Sequence, residues 1–429
     1  RFDRVRHNST DRYIWHAGAA GADWLMPVLF RALRHRDFRL YVAGQVISVT
    51  GTWVQSLALS WLVYRLTHSA LLMGTVGFAS QIPVLLLGPI GGLVADRFPR
   101  RRIVILMQSL MMVQAAVLAV LTYTGAIHVW MIIVLALVMG TLNAFEIPAR
   151  QALYVHMVGK DDLANAIALN SMTFNAARVV GPSVGGIFVA AFGEAVCFLI
   201  NSVSYLAVLA CFLLMRTPEP GRSAPPSVLD HLRSGFEYAW NHRPVRALLI
   251  LTALMNFGSA PPLALGPLFA DAIFHRGAQG LGLILGIFGI GAVAGTLALA
   301  NETSTRKLPG IISFNAIGVA VGLLTYAWAP VFPVILVGAS IGGFCTMRQL
   351  AATNGLIQTI IDDDFRGRIM ALYSMMVIGM LPLGNFAAGA IAEHIGVRWA
   401  VCLGGLLVLA AALNFLRARS EVEAAALRQ

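Results

Sequence analysis

A short basic loop reads Gly91-Gly92-Leu93-Val94-Ala95-Asp96-Arg97-Phe98-Pro99-Arg100-Arg101-Arg102 and joins two long apolar stretches of the chain. About a dozen such stretches follow one another between Phe38 and Leu416, each about 20 residues long. A span of that length matches the ~30 Å hydrocarbon core of a bilayer, where a backbone must satisfy its own polar groups. The pattern therefore predicts an all-α integral membrane protein.

Twelve transmembrane helices are predicted, arranged as two pseudo-symmetric six-helix bundles on either side of a polar, proline-containing stretch. The predicted spans are 38–64, 70–94, 103–124, 129–155, 163–191, 195–215, 247–273, 277–300, 308–328, 332–360, 365–392 and 398–416. The predicted domains are an N-terminal tail with a basic amphipathic helix over 1–37, a first bundle over 38–215, a cytoplasmic linker over 216–246, a second bundle over 247–416 and a C-terminal tail over 417–429.

Similarity between the two halves supports this division. Asp161-Asp162-Leu163 recurs 202 residues later as Asp363-Asp364-Phe365, and Ala168–Met172 recurs as Ala371–Met375 after one inserted residue. Two glycines recur with nearly the same offset, Gly186 as Gly389 and Gly193 as Gly396. A duplicated bundle is typical of transporters built from internal repeats.

The distribution of charge predicts an orientation in the membrane. Hydrophobic residues make up 58% of the chain and charged residues only 12%. Of the 31 Lys and Arg, 25 lie in the two tails and in alternate loops, whereas Arg65, Arg276 and Arg398 lie in the other loops. Basic loops stay in the cytoplasm, so both termini are predicted to be cytoplasmic. The net charge of +11 is then an orientation signal, and nucleic acid is not an expected partner.

The basic loop, together with the six-plus-six layout, resembles the signature loop of the major facilitator superfamily. Pro99 stands where that loop usually has a glycine, which makes it stiffer. The resemblance implies that Asp96 approaches the N-terminus of span 11 and holds the cytoplasmic side shut in one state. The residues expected to form this cytoplasmic gate are Gly92, Asp96, Arg97, Arg100 and Arg101.

Span 5 contains Gly181-Pro182-Ser183-Val184-Gly185-Gly186, which resembles the second half of the superfamily's antiporter motif. Ala168 and Ala177 stand where further glycines are expected. Gly181, Pro182, Gly185 and Gly186 would permit a kink and close packing against a neighbouring helix, which favours export over uptake. Ordinary tight helix packing is the alternative.

Three further segments resemble the bacterial drug and siderophore exporter branch, which includes the enterobactin exporter and macrolide efflux pumps. They are Ser60–Thr67, Pro148–Leu153 and Arg366–Met370. The resemblance implies a monomer in a bacterial inner membrane that exports a small molecule in exchange for protons, without a cofactor or a metal.

Four charged residues lie well inside the predicted spans, where charge is costly and usually functional: Glu146, Arg150, Arg178 and Arg348. The 202-residue offset maps Glu146 onto Arg348, so the two would face each other across a central cavity. We expect Glu146, Arg178 and Arg348 to form the charged floor of that cavity, with Arg150 paired to Glu146 at i,i+4. The alternative is a buried ion-pair cluster that only holds helices together.

Further residues complete the predicted site. Gln45, Trp53 and Gln55 in span 1 and Asn256 in span 7 either add polarity to the cavity or bond helix to helix. Glu146 is the first candidate for carrying a proton. Asp271, near the outer end of span 7, is the second, although we expect it to be a solvated helix end. Prolines at 261, 262 and 267 predict a broken span 7 that could act as a gate.

The sequence has no nucleotide-binding loop, metal-ligand cluster or nucleophile arrangement with suitable spacing, so an enzyme is not expected. The best interpretation is a proton-coupled exporter of an amphiphilic small molecule that is siderophore-like, lipid-like or drug-like. The alternatives are a cationic multidrug/proton antiporter and a non-transporting sensor or assembly partner built on a transporter fold.

Overall fold

The computed structural model describes residues 30–216, 228–302 and 304–427. Within them it has twelve helices that are long and apolar enough to cross a membrane. They are α1 Arg36–Thr67, α2 Ala70–Arg97, α3 Arg100–Tyr123, α4 Val129–Val158, α5 Leu163–Phe192, α6 Glu194–Leu214, α7 Arg243–Ala264, α8 Gly277–Ala300, α9 Leu308–Ala327, α10 Phe332–Ile360, α11 Asp363–Ile395 and α12 Val397–Ala426. The predicted all-α fold with twelve spans is confirmed.

The connecting segments differ from the predicted bounds. Most of the predicted amphipathic helix lies outside the described residues; the described part is a 3₁₀ turn, Arg31–Arg34. The stretch assigned to the linker contains a helix, Val228–Asn241. Residues 417–426 continue α12 instead of forming a separate tail, with Arg419 and Glu423 paired at i,i+4 and 2.6 Å.

The predicted break in span 7 is present. Helix Arg243–Gly258 is followed by the short helix Pro261–Ala264 and then by a π-helical turn, Leu268–Ile273. Proline lacks the N–H that a continuous helix needs and clashes with the preceding turn, which explains the interruption. The equivalent α1 in the first half runs unbroken.

Two helix pairs join the halves, α2 with α11 and α5 with α8. Both pairs meet at glycines, because only a residue without a Cβ allows backbones so close. A Cβ added at Gly186 would lie 2.6 Å from the carbonyl oxygen of Ala278, and one added at Gly389 would lie 2.6 Å from that of Ala70. The repeated glycines of the two halves thus make matching contacts.

The bundle has two ends. We call the end with the α2–α3, α4–α5 and α10–α11 connections the basic face, and the other end the opposite face. At the opposite face, polar contacts join the halves: Tyr64 Oη donates to Asp271 Oδ2 at 2.8 Å, while Ser69 Oγ and the Leu71 N–H donate to Glu393 Oε2 at 3.1 and 3.0 Å. The opposite face is therefore closed.

The halves separate toward the basic face. On α2, Gly74 and Gly77 lie against Asn385 of α11, but a Cβ added at Gly88 or Gly92 would meet no atom within 4 Å. The same is true of Gly367 near the start of α11. The space between the halves thus widens from the opposite face to the basic face.

Many large apolar side chains point away from the protein along the spans. Leu86, Val120, Leu213 and Phe314 are 65%, 60%, 65% and 70% exposed. Water would make such surface unfavourable, whereas lipid tails solvate it at no cost. The molecule is a multi-pass membrane protein.

Candidate functional site

A chamber lies where the two halves meet, and Arg178 of α5 is its charged residue. The Arg178 guanidinium carbon lies 5.6 Å from the centre of the Trp53 ring, and Nη1 lies 3.2 Å from the Met347 sulfur. Among the described residues, no carboxylate pairs with Arg178. The chamber therefore holds an uncompensated positive charge beside an aromatic face.

The rest of this central chamber is mostly apolar. Its volume is about 240 Å³, and its walls come from α1, α5 and helices α7 to α11. Ile284, Phe288 and Leu323 supply apolar surface, while Asn256 and Ser259 supply polar groups next to the break in α7. A largely apolar cavity with a few fixed polar groups is the usual form of a small-molecule site.

A side cavity of about 110 Å³ adjoins the central chamber and shares its walls at Trp53 and Pro182. It is more polar, with hydroxyl groups on Ser56 and Ser60 and an amide on Asn385. The Asn385 side chain is 2% exposed, and its Oδ1 has no hydrogen-bond partner. An unpaired buried acceptor is costly, so this position favours a hydrogen-bond donor on an occupant.

The span 5 motif shapes both cavities. A Cβ added at Gly181 would lie 2.4 Å from Trp53 Cβ, and Gly185 packs against Val54. Pro182 lines the central chamber and the side cavity, and Gly186 makes the contact with α8 already described. These four residues set how closely α5 approaches α1 and α8, and so where Trp53 and Arg178 meet.

Glu146 and Arg150 lie elsewhere, inside the first half. They are 3% and 7% exposed, and Arg150 Nε donates to Glu146 Oε1 at 2.8 Å. Gln108 of α3 donates to the same oxygen at 3.0 Å, and Arg150 Nη1 donates to Tyr41 and Tyr154 at 3.3 and 3.0 Å. The Glu146–Arg150 ion pair is therefore hydrogen-bonded to its neighbours, as in the alternative of a structural cluster, although Gln108 Oε1 has no partner among the described residues.

Two glutamines predicted as possible cavity residues also bond within the first half. Gln45 Nε2 donates to Tyr41 Oη at 3.1 Å. Asn201 Nδ2 donates to Gln55 Oε1 at 2.8 Å, and Gln55 Nε2 lies 3.4 Å from Gln114 Oε1. Both glutamines are buried, and neither lines the central chamber. Gln55 connects α1 to α3 and α6, whereas Gln45 bonds within α1.

Arg348 does not face Glu146 or Arg178. It lines a separate pocket formed by α9, α10 and the end of α12. Both Arg348 and Glu146 point into their own half, toward α9 and α3. The expected floor made of Glu146, Arg178 and Arg348 is therefore not assembled, and only Arg178 lies in the chamber.

The signature loop contacts its own half. Arg100 donates to the Ala152 carbonyl at 3.2 Å, and Arg101 donates to the Phe212 carbonyl at 2.9 Å. Asp96 is half exposed and accepts from Arg100 at 3.3 Å. Among the described residues, Asp96 has no hydrogen bond or ion pair to α11, in keeping with the separation of the halves at this face.

Sequence reasoning missed two parts of the site. Asn385 lies on α11, where a single amide in an apolar span was a usable signal. The bond between Tyr64 and Asp271 could not be read from the chain, because it joins helices 207 residues apart. Asp271 is thus part of the contact between the halves rather than a solvated helix end.

The family model described as "Transmembrane secretion effector" matches residues 28–428. The chain is 25% identical to the staphyloferrin A transporter of Staphylococcus aureus, over 88% of this chain and 95% of that protein. It is 26% identical to the multidrug efflux pump Tap of Mycolicibacterium fortuitum, over 81% and 87%. Among solved structures, the nucleoside transporter NupG is similar in fold, with a TM-score of 0.68, 14% identity and coverage of 88% and 98%.

Proposed function

The chain belongs to the transmembrane secretion effector family of major facilitator superfamily transporters, and on that premise we propose that it exports an amphiphilic small molecule carrying a negative charge, in exchange for protons. The family and the relatives are transporters and not enzymes. The observation that carries the proposal is the uncompensated Arg178 in a mostly apolar chamber between the halves. A guanidinium in such a setting favours an anionic group beside an apolar body.

The two faces of the molecule are compatible with the proposed direction of transport. If the basic face is cytoplasmic, as the distribution of Lys and Arg supports, the chamber is accessible from the cytoplasm while the Tyr64–Asp271 contact closes the outside. Cargo enters from the basic face, places its anion against Arg178 and its apolar part against Phe288 and Leu323. Rocking of the halves then opens the opposite face and releases the cargo.

Proton coupling needs an acid that exchanges a proton during the cycle. Glu146 is the acid buried within a span of the first half, and its 2.8 Å ion pair with Arg150 stabilises the carboxylate. Withdrawal of Arg150 would therefore favour uptake of a proton by Glu146. Movement of α4 as the halves rock would lengthen that bond. We propose this exchange as the coupling step.

The relatives support an efflux role and differ in cargo. One is named for staphyloferrin A and another for multidrug efflux. A cationic drug fits the chamber less well, because Arg178 already occupies the face of Trp53 and repels a second cation. A non-transporting role has no support from the family.

The test uses purified protein in liposomes loaded with a pH-sensitive dye. A polycarboxylate siderophore is the anionic probe and ethidium the cationic one. The siderophore should drive proton movement through the wild-type protein and through Arg178→Lys, but at least tenfold less through Arg178→Gln. Arg417→Gln, an exposed arginine of α12 outside the chamber, is the control and should behave like wild type.

Two results would contradict the proposal. One is proton movement driven by ethidium and not by the siderophore, which would indicate the cationic antiporter. The other is equal activity of Arg178→Gln and wild type. Thermal unfolding of each variant confirms that a loss of transport is not a loss of folding.

A further inference from the structure

A second pocket opens near the basic face of the second half, between α9, α10 and the end of α12. Its volume is about 410 Å³. Its walls are four cationic side chains and four others: Arg306, Lys307, Arg348, Arg419, Gly310, Ile311, Phe314 and Asn315. None of these residues lines the central chamber, so this cationic pocket is a separate site.

The positive charge of the cationic pocket is only partly neutralised. Lys307 pairs with Glu302 at 3.1 Å and Arg419 with Glu423 at 2.6 Å. Arg306 and Arg348 have no acidic partner among the described residues. Two full positive charges therefore remain, and the apolar membrane edge nearby makes their field stronger than in water.

The charge also acts on the nearest acid outside the spans. The pKa of the Glu302 carboxyl is held below its usual range, mainly by the hydrogen bond from Lys307 and with a smaller contribution from Arg348. The field of Arg348 thus reaches the mouth of the pocket, where an entering anion would feel it.

Two atoms in the walls of the pocket lack partners. Arg348 Nε is buried and makes no hydrogen bond. Asn315 is fully buried; its Nδ2 donates to the Ile311 carbonyl at 2.7 Å, while its Oδ1 has no partner. A buried charged donor without an acceptor costs more free energy than a typical hydrogen bond returns. Arg348 Nε can therefore donate to an anion in the pocket, and Asn315 Oδ1 can accept from a hydroxyl group.

The rim of the pocket is apolar. Phe314 of α9 lies about two helical turns beyond Lys307, which precedes α9, and is 70% exposed. Cations beside exposed apolar surface at the end of a membrane span suit a molecule with a charged head and an apolar tail. The same head group could also enter from solution without a tail.

We propose that the cationic pocket binds a glycerol phosphate group, whose phosphate pairs with Arg306 and Arg348 and whose hydroxyl donates to Asn315. The group can belong to an anionic phospholipid or to a free phosphate ester. The site is independent of the transported cargo.

The test measures thermal unfolding of the whole protein in a neutral maltoside detergent. One arm adds dioleoyl phosphatidylglycerol, with dioleoyl phosphatidylcholine as the neutral lipid. The other adds sn-glycerol 3-phosphate. The unfolding temperature of the wild-type protein should rise by a few degrees in one arm or both, because a ligand that binds only the folded state stabilises it. If only phosphatidylglycerol raises the unfolding temperature, the ligand is a lipid head group. If glycerol 3-phosphate raises it, the pocket binds the free ester.

The variants decide whether the gain comes from this pocket. Arg306→Gln combined with Arg348→Gln should abolish it, and Arg417→Gln, which lies outside the pocket on the same helix as Arg419, should keep it. Arg306→Gln alone, at an exposed position, should reduce it and serves if the double variant does not fold. No gain in either arm, a gain that persists in the double variant, or an equal loss in Arg417→Gln would overturn the proposal.

Discussion

Glu146 in α4 and Arg348 in α10 occupy matching positions of the internal repeat, yet their surroundings differ. Glu146 accepts from Arg150 and from Gln108 of α3, so its charge is neutralised within the first half. Arg348 lies near Asn315 of α9 and has no acidic partner among the described residues. The two halves have similar helix packing but different interior chemistry. The buried charge of the first half is paired within that half, whereas the buried charge of the second half remains available to a ligand.

The largest expected effect concerns the buried ion pair of Glu146 and Arg150. Arg150→Met leaves Glu146 buried without its partner and should destabilise the protein by about 3 to 5 kcal/mol. Combining it with Glu146→Gln should recover most of that loss, because the two residues act as a pair. Thermal unfolding of the purified variants gives the comparison.

Arg348→Met is the matched variant in the second half. It removes a lone cation, so no charge is left behind and stability should be unchanged or slightly higher. If Arg348→Met were as costly as Arg150→Met, Arg348 would have a structural partner and the contrast between the halves would fail.

The next-largest expected effect concerns the glycine contacts that join the two halves. Gly186→Ala and Gly389→Ala each place a Cβ 2.6 Å from a backbone oxygen of the other half. Each should weaken the closed opposite face by about 1 to 3 kcal/mol. Accessibility of a cysteine introduced at Ser69 to a membrane-impermeant maleimide measures that opening.

Gly88→Ala and Gly92→Ala are the controls at the basic face, where an added Cβ meets nothing within 4 Å. They should leave the accessibility of the cysteine unchanged and stabilise α2 by up to about 1 kcal/mol. Unequal effects of Gly186→Ala and Gly389→Ala would show that the two contacts are not equivalent.

The smallest effect concerns a second mismatched pair, Asp162 and Asp364. Asp162 is buried and bonds to Arg31, Arg34 and His35, whereas Asp364 is exposed. The bonds from His35 and Arg31 lower the pKa of Asp162 to about 2 from its usual 3.8. A lowered pKa contributes stability that is present above pH 4 and is lost as the pH falls toward 2.

Asp162→Asn should therefore lower the unfolding temperature at pH 7, and the difference from wild type should shrink between about pH 4 and pH 2. Asp364→Asn should have little effect across the same range. A pH-independent loss in Asp162→Asn would mean that the carboxylate charge is not what matters.

The fold could be predicted because its signals are local. Spans of apolar residues, prolines at 261, 262 and 267, and the repeated glycines each act over a few neighbouring residues. The site was harder to predict than the fold. The position of a residue along a helix follows from counting residues, whereas the direction in which its side chain points changes by about 100° with each residue. In the structure Arg178 lines the chamber between the halves, while Arg348 faces the interior of its own half near the basic face. Bonds such as Gln108 to Glu146 depend on helix packing and leave no trace in the sequence.

The interruption of α7 has a consequence for the speed of the transport cycle. A continuous helix must break backbone hydrogen bonds to bend in lipid, where no water replaces them. At the end of α7 and just after it, three prolines have already removed donors between Ser259 and Leu268, so bending there sacrifices little enthalpy. We expect the temperature dependence of turnover to reflect rupture of the Tyr64–Asp271 contact rather than distortion of α7. Replacing Pro261, Pro262 and Pro267 by alanine should therefore steepen the Arrhenius plot of transport.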